Sequence, residues 1–167
     1  MIELMKQLCA LPGPSGCEDA VREFVLKKVK PFADEMKTDA IGNIMVFRKG
    51  KKALERPVVL CAHMDEVGVI IKKITDDGML KFGFVGGVDP RMLLGGEVTI
   101  LADEPLYGVV SCMPPHLLKA GEQNKAVPID QMAIDTGLLD AKSRIRVGTP
   151  IVFAQQPIKL AGGQLCS

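Results

Sequence analysis

Tryptophan is absent from this 167-residue chain, tyrosine occurs once, and aromatic residues make up 4% of it. A core built here must be aliphatic, of Val, Ile, Leu and Met. At 47% hydrophobic, the chain has enough of them to build one. An excess of one charge is missing too: 21 basic against 20 acidic side chains leave a net charge of +1. Spread along the chain, that balance excludes a dedicated nucleic-acid binder or an anionic-membrane binder. The one basic cluster, residues 49–52, contains a glycine and lies between strand-like runs, so it reads as a solvated loop. No apolar stretch reaches the roughly 18 uninterrupted residues of a membrane span. Residues 1–11 carry Glu3 and Lys6 and lack the charged start and long apolar stretch of a signal peptide. The five cysteines are odd in number and form no CxxC, which excludes a cysteine zinc site. Cys61 lies inside an apolar run and Cys112 beside another. They read as small core hydrophobes in a reducing compartment, so a cytoplasmic protein is expected.

Histidine is scarce as well, with two in the chain, His63 and His116. Any metal site must therefore take most of its ligands from carboxylates or from elsewhere. His63 stands in the most informative stretch, Val58-Val59-Leu60-Cys61-Ala62-His63-Met64-Asp65-Glu66. Residues 58–62 read as a buried strand that ends in a polar cluster, as an active site at a strand's end would.

Before that stretch, residues 2–8 read as a short helix stopped by Leu11-Pro12-Gly13-Pro14. Ser15 and Glu18 then match a capping box, with Ser15 accepting from the backbone near Glu18 and Glu18 reaching back. The turn Gly13-Pro14-Ser15-Gly16 reads as a helix start rather than a phosphate loop, because no strand-loop-Lys pattern accompanies it. Val21, Phe24, Val25, Val29 and Phe32 follow at helical spacing, and Pro31 ends the helix. Residues 34–38 and 44–48 read as a hairpin around Asp39-Ala40-Ile41-Gly42-Asn43.

Residues 67–74 read as a further strand, which could join 34–38, 44–48 and 58–62 in one sheet. From about residue 75 the chain reads as recurring short strands: 80–85, 97–102, 107–112, 149–153 and 158–160, with a strand at 131–134 and a short helix at 138–142. No long helical pattern interrupts them, which predicts a small barrel or sandwich. The expected division is a mixed α/β unit over residues 1–70, a mostly β unit over 71–162, and the start of a return at 163–167.

On an extended segment, residues two apart point the same way. His63 and Asp65 can therefore face one pocket, the imidazole binding a metal and the carboxylate orienting it or acting as an acid-base group. His-x-Asp alone is a weak motif. Ala62-His63-Met64-Asp65-Glu66-Val67-Gly68, however, resembles the signature of the tetrahedral (TET)-type metallo-aminopeptidases, which are glutamyl and deblocking aminopeptidases. Some of these carry endoglucanase or cellulase names. Gly13-Pro14-Ser15-Gly16 with Glu18, Asp39-Ala40-Ile41-Gly42-Asn43, Val85-Gly86-Gly87, Gly108-Val109, Pro114-Pro115-His116-Leu117 and Val147-Gly148-Thr149-Pro150 are similar to that family in the same order.

The resemblance implies an α/β catalytic domain holding two divalent metal ions, zinc or cobalt. It also implies an inserted β-barrel that drives homo-oligomer assembly, typically to a dodecamer. His63 maps to a metal ligand and Asp65 to the catalytic carboxylate that orients it, with a peptide as substrate. His116 maps to the barrel, in a structural role. In the family, a bridging aspartate, two glutamates, a further carboxylate and a final histidine follow the point where Ser167 stands. A metal-dependent aminopeptidase is therefore expected, with these residues as its N-terminal portion, inactive and without bound metal by themselves. The alternative is a non-catalytic oligomerisation module. Neither reading involves nucleic acid or a membrane.

Overall fold

The computed structural model describes residues 1–52, 56–114 and 127–166. In chain order they form α1 (Ile2–Cys9), α2 (Asp19–Val29), β1 (Glu35–Thr38), β2 (Ile44–Phe47), β3 (Gly68–Ile74), β4 (Leu80–Val85), β5 (Glu97–Ile100) and β6 (Leu106–Cys112). β7 (Met132–Asp135), β8 (Pro150–Phe153), β9 (Ile158–Lys159) and β10 (Leu165–Cys166) follow. The architecture is α/β with a small barrel.

The barrel comes from alternation. In β4, Leu80 and Phe82 are buried while Lys81 and Gly83 are half-buried, and in β5, Val98 and Ile100 are buried around Thr99. Strands patterned this way must cover one face. Here the sheet covers it by closing on itself, in the order β3-β4-β7-β6-β5-β8. Closure leaves no exposed strand edge in the ring. The register stacks apolar residues across each seam: Ile71 opposite Phe82, Leu80 opposite Ile134, and both Val69 and Ile100 opposite Ile151. The core is aliphatic as expected, with Leu80, Val98, Ile100, Ile134 and Ile151 fully buried and Phe82 its one buried aromatic. A 3-10 turn at Ala141–Ser143 replaces the short helix expected at 138–142, and Ala141 and Ile145 join the buried core.

The residues before the barrel pack more loosely. α1 buries no side chain, and α2 buries Val21. Helix α2 ends at Val29, and Pro31 sits in the 3-10 turn Lys30–Phe32 that follows. β1 and β2 form the expected antiparallel hairpin. Its turn is held by Asp39, whose carboxylate accepts from Asn43 N at 2.9 Å and Asn43 Nδ2 at 2.8 Å. Those bonds hold the Asp39 carboxyl below its ordinary range, the Asn43 side chain contributing most. Arg22 ties α2 to this turn by donating from Nε to the Gly42 carbonyl at 2.9 Å.

Three expectations need correction. Residues 58–62 are not a buried strand in this chain: Val58, Val59 and Leu60 are exposed, Leu60 at 93%. A strand needs neighbours for its N–H and C=O groups and cover for its side chains. Among the described residues no backbone hydrogen bond reaches 58–62. The cysteines are not core hydrophobes either. Cys9, Cys17 and Cys61 are exposed, and Cys112 and Cys166 are half-buried. Cys61 follows the fate of its run. The capping box is the third. α2 begins at Asp19 with no side-chain cap, a contact ordinarily worth about 1 kcal/mol. Glu18 does reach back, accepting from Gly16 N at 2.6 Å, but Ser15 is engaged elsewhere.

Candidate active site

β3 starts two residues after Glu66, so the barrel's first strand anchors the His63 cluster from its C-terminal side. The anchoring is close: a Cβ on Gly68 would lie 2.7 Å from the Ile151 carbonyl oxygen of β8. From the other side, the Gly13-Pro14 turn docks on the same stretch. Pro14 and Glu66 form a parallel β-bridge. The Glu66 amide donates to the Gly13 carbonyl at 2.8 Å, and the Gly13 amide donates to Glu66 Oε1 at 2.8 Å. A Cβ on Gly13 would lie 2.8 Å from Val21 Cγ2, so helix α2 packs directly against this turn. The turn is thus held between α2 and the residues that follow His63.

The structure brings His63 and Asp65 together. His63 Nδ1 lies 3.2 Å from Asp65 Oδ1 and 3.0 Å from the Asp65 carbonyl oxygen. Both neighbours are acceptors, so in the neutral ring Nδ1 carries the proton and donates, leaving the Nε2 lone pair free. The His63 side chain is 86% exposed. This is the arrangement in which a carboxylate fixes the tautomer and orientation of a metal-binding imidazole.

Ser15 is the partner that sequence reasoning missed. Its hydroxyl donates to Asp65 Oδ2 at 2.5 Å. Asp65 therefore uses one oxygen for His63 and the other for Ser15. Its carboxyl is held below the ordinary range by the Ser15 hydrogen bond first, then by its own backbone amide, with His63 contributing less. The signal was present in Gly13-Pro14-Ser15-Gly16, but its spacing to Glu18 reads as a helix cap. Glu66, part of the same motif, serves as the latch on Gly13.

His63 offers one free ligand nitrogen. Among the described residues, no group of three or more His, Cys, Asp or Glu side chains is placed to hold a metal ion. The donors therefore fit one coordination position and its orienting carboxylate, not a closed site. His116 lies outside the described residues. A cavity of about 480 Å³ opens nearby, between the end of α1 and the barrel, lined by Leu11, Pro12, Glu66, Val67 and Phe153 among others. His63 and Asp65 do not line it.

Known proteins share both sequence and shape with this chain. The lysyl aminopeptidase of Pyrococcus furiosus is 33% identical over 166 residues, covering 95% of this chain and 47% of that protein. An aminopeptidase of the archaeon Desulfurococcus kamchatkensis superposes with a TM-score of 0.87 at 35% identity, over 96% of this chain and 44% of that one. The TET1 peptidase of Pyrococcus horikoshii, which can assemble into a tetrahedron or a large octahedral shell, gives a TM-score of 0.83 at 36% identity. That match covers 96% of this chain and 48% of the other. The chain spans about half the length of the relatives it matches. Residues 42–167 match the family model described as M42 glutamyl aminopeptidase. Matching the family model over residues 42–167 and these aminopeptidases over nearly its whole length, the chain belongs to the M42 glutamyl aminopeptidase family.

Proposed function

We propose that this chain is the N-terminal portion of a metal-dependent aminopeptidase that removes N-terminal residues from peptides. The observation that carries the reading is the His63 imidazole held at Nδ1 by Asp65, with Nε2 free, in a member of the M42 family. His63 would hold one of two divalent metal ions, zinc or cobalt, and Asp65 would orient the ring. A divalent metal there supplies Lewis acidity toward the scissile carbonyl. Asp65, kept ionised chiefly by the Ser15 hydrogen bond, holds the ring proton at Nδ1 and so keeps Nε2 available. The remaining ligands and the general base belong to sequence that family members carry beyond the stretch matched here.

On this reading the residues before Gly68, with 163–167, are part of the catalytic domain; the inserted barrel, expected over 71–162, starts at Gly68 with β3 and its last strand, β8, ends at Phe153. The exposed run 58–62 supports the division. It has the composition of a buried strand and no cover, which fits a strand completed by the rest of the catalytic domain. Assembly through the barrel into a homo-oligomer, a dodecamer in the full enzyme, is supported by the shells that the Pyrococcus horikoshii relative forms. A cytoplasmic location fits five unpaired thiols, and no helix among the described residues is long and apolar enough to cross a membrane.

The test is hydrolysis by the product of the complete reading frame that contains these residues. Peptides with a free N-terminus should be shortened stepwise from that end. Chelation should abolish turnover, and zinc or cobalt should restore it. No hydrolysis by the metal-loaded protein would overturn the reading.

A further inference from the structure

We infer that Ser15 is a positioning residue of the active site, which locks the Asp65 carboxylate in the rotamer that holds His63. The inference rests on the reading of His63 and Asp65 given above and extends it to a part of the chain fifty residues away. Three observations carry it.

First, Asp65 is bound at both oxygens by different groups, Ser15 Oγ at Oδ2 and His63 Nδ1 at Oδ1. A carboxylate held at one oxygen alone can pivot about that contact through both of its side-chain torsions, the staggered one at Cα–Cβ and the broad terminal one. Held at both, it presents one oxygen to the ring in a fixed direction.

Second, Ser15 is itself placed by backbone contacts rather than by its own side chain. Pro14 bridges to Glu66, Gly13 exchanges hydrogen bonds with both the amide and the side chain of Glu66, and the Cys17 amide donates to the Pro14 carbonyl at 2.8 Å. The residues just before Ser15 are therefore fixed to the same stretch that carries Asp65, and Cys17 after it is tied back to Pro14. Pro14 is fully buried in this contact.

Third, Ser15 forgoes the local role its spacing offers. Ser15 and Glu18 have the sequence of a capping box, yet α2 starts without a side-chain cap and the hydroxyl points to Asp65. A residue that breaks a local rule in favour of a distant carboxylate marks a functional constraint more often than a packing one.

Two substitutions test this. Ser15→Ala removes the hydroxyl, and Ser15→Thr keeps it. The side chain is exposed, so both should fold. In the 167-residue chain, three-bond Hα–Hβ couplings of Asp65 by NMR should report one dominant rotamer for the native protein and for Ser15→Thr. Ser15→Ala should give averaged couplings. In the product of the complete reading frame, Ser15→Ala should lower kcat and metal affinity about 10-fold with KM unchanged, as loss of an outer partner of a metal-bound histidine does. Ser15→Thr should stay within about 2-fold of native. A single Asp65 rotamer in Ser15→Ala, or unchanged kcat and metal affinity, would overturn the role of Ser15. His63→Ala run alongside separates the two claims. Full activity in that variant would overturn the assignment of His63, whereas its loss beside a fully active Ser15→Ala would overturn the inference about Ser15 alone.

Discussion

Ser15 and Asp65, fifty residues apart in the chain, are joined by a hydrogen bond of 2.5 Å. Asp65 in turn holds His63, so the start of helix α2 and the entrance of the barrel share one polar chain: hydroxyl, carboxylate, imidazole. The backbone beneath that chain is the contact between Gly13-Pro14 and Glu66, and its integrity can be measured.

Gly13→Ala should destabilise the protein by about 1–3 kcal/mol, the usual cost of overpacking. The added Cβ would sit 2.8 Å from Val21 Cγ2 and 3.5 Å from the Met64 carbonyl oxygen. Urea denaturation followed by circular dichroism reads this directly. The turn cannot shift away without breaking both hydrogen bonds to Glu66, so a neutral substitution would show that the turn is not held as described.

The barrel and the exposed run should respond oppositely to truncation. Leu80→Ala removes a fully buried side chain and should cost about 2–5 kcal/mol, while Leu60→Ala should change stability by less than about 0.5 kcal/mol. Both are measured in the 167-residue chain by thermal or urea unfolding. Leu60→Lys should also lower binding of a hydrophobic dye, because Val58, Val59 and Leu60 form an uncovered apolar run. A large loss of stability from Leu60→Ala would mean that the run is packed after all.

Much of this arrangement is legible in the sequence, and the exceptions share a cause. The spacing of Val21, Phe24 and Val25 predicts α2. The recurring short apolar runs predict the six barrel strands as strands, because each records a face turned inward against neighbours that the chain itself supplies, but Gly68–Ile74 reads as part of the sheet before the barrel rather than as the barrel's first strand. Residues 58–62 have the same apolar character but no such neighbours. Composition states that a segment suits burial and cannot state what will bury it. Ser15 fails to be read for a related reason. A capping box is recognised by spacing over four residues, and the competing carboxylate is fifty residues away.

Asp89 offers a pH-dependent check on the barrel surface. Its carboxylate accepts from Arg91 Nε and Nη2, the shortest contact being 2.6 Å, and from the Arg91 amide at 3.0 Å. The Arg91 side chain first, and its amide second, hold the Asp89 pKa at about 2. A carboxyl depressed on folding contributes stability above its unfolded value, near 3.9, and loses it as pH falls through the folded value. The contribution should therefore be full above about pH 4 and gone below about pH 2. NMR titration of the Asp89 carboxyl carbon should give a midpoint near the folded value, and Arg91→Ala should return it toward the ordinary range. The pair is exposed, so high salt should shrink the difference.

The central claim is that His63 is one metal ligand whose companions lie in the remainder of an M42 enzyme. Metal content is its most direct measure. The product of the complete reading frame, loaded with zinc or cobalt and desalted, should retain two ions per chain by inductively coupled plasma mass spectrometry. His63→Ala should lose at least one ion and all peptide hydrolysis, with its thermal unfolding temperature otherwise unchanged in the presence of chelator. Full metal content and native turnover in His63→Ala would contradict the account.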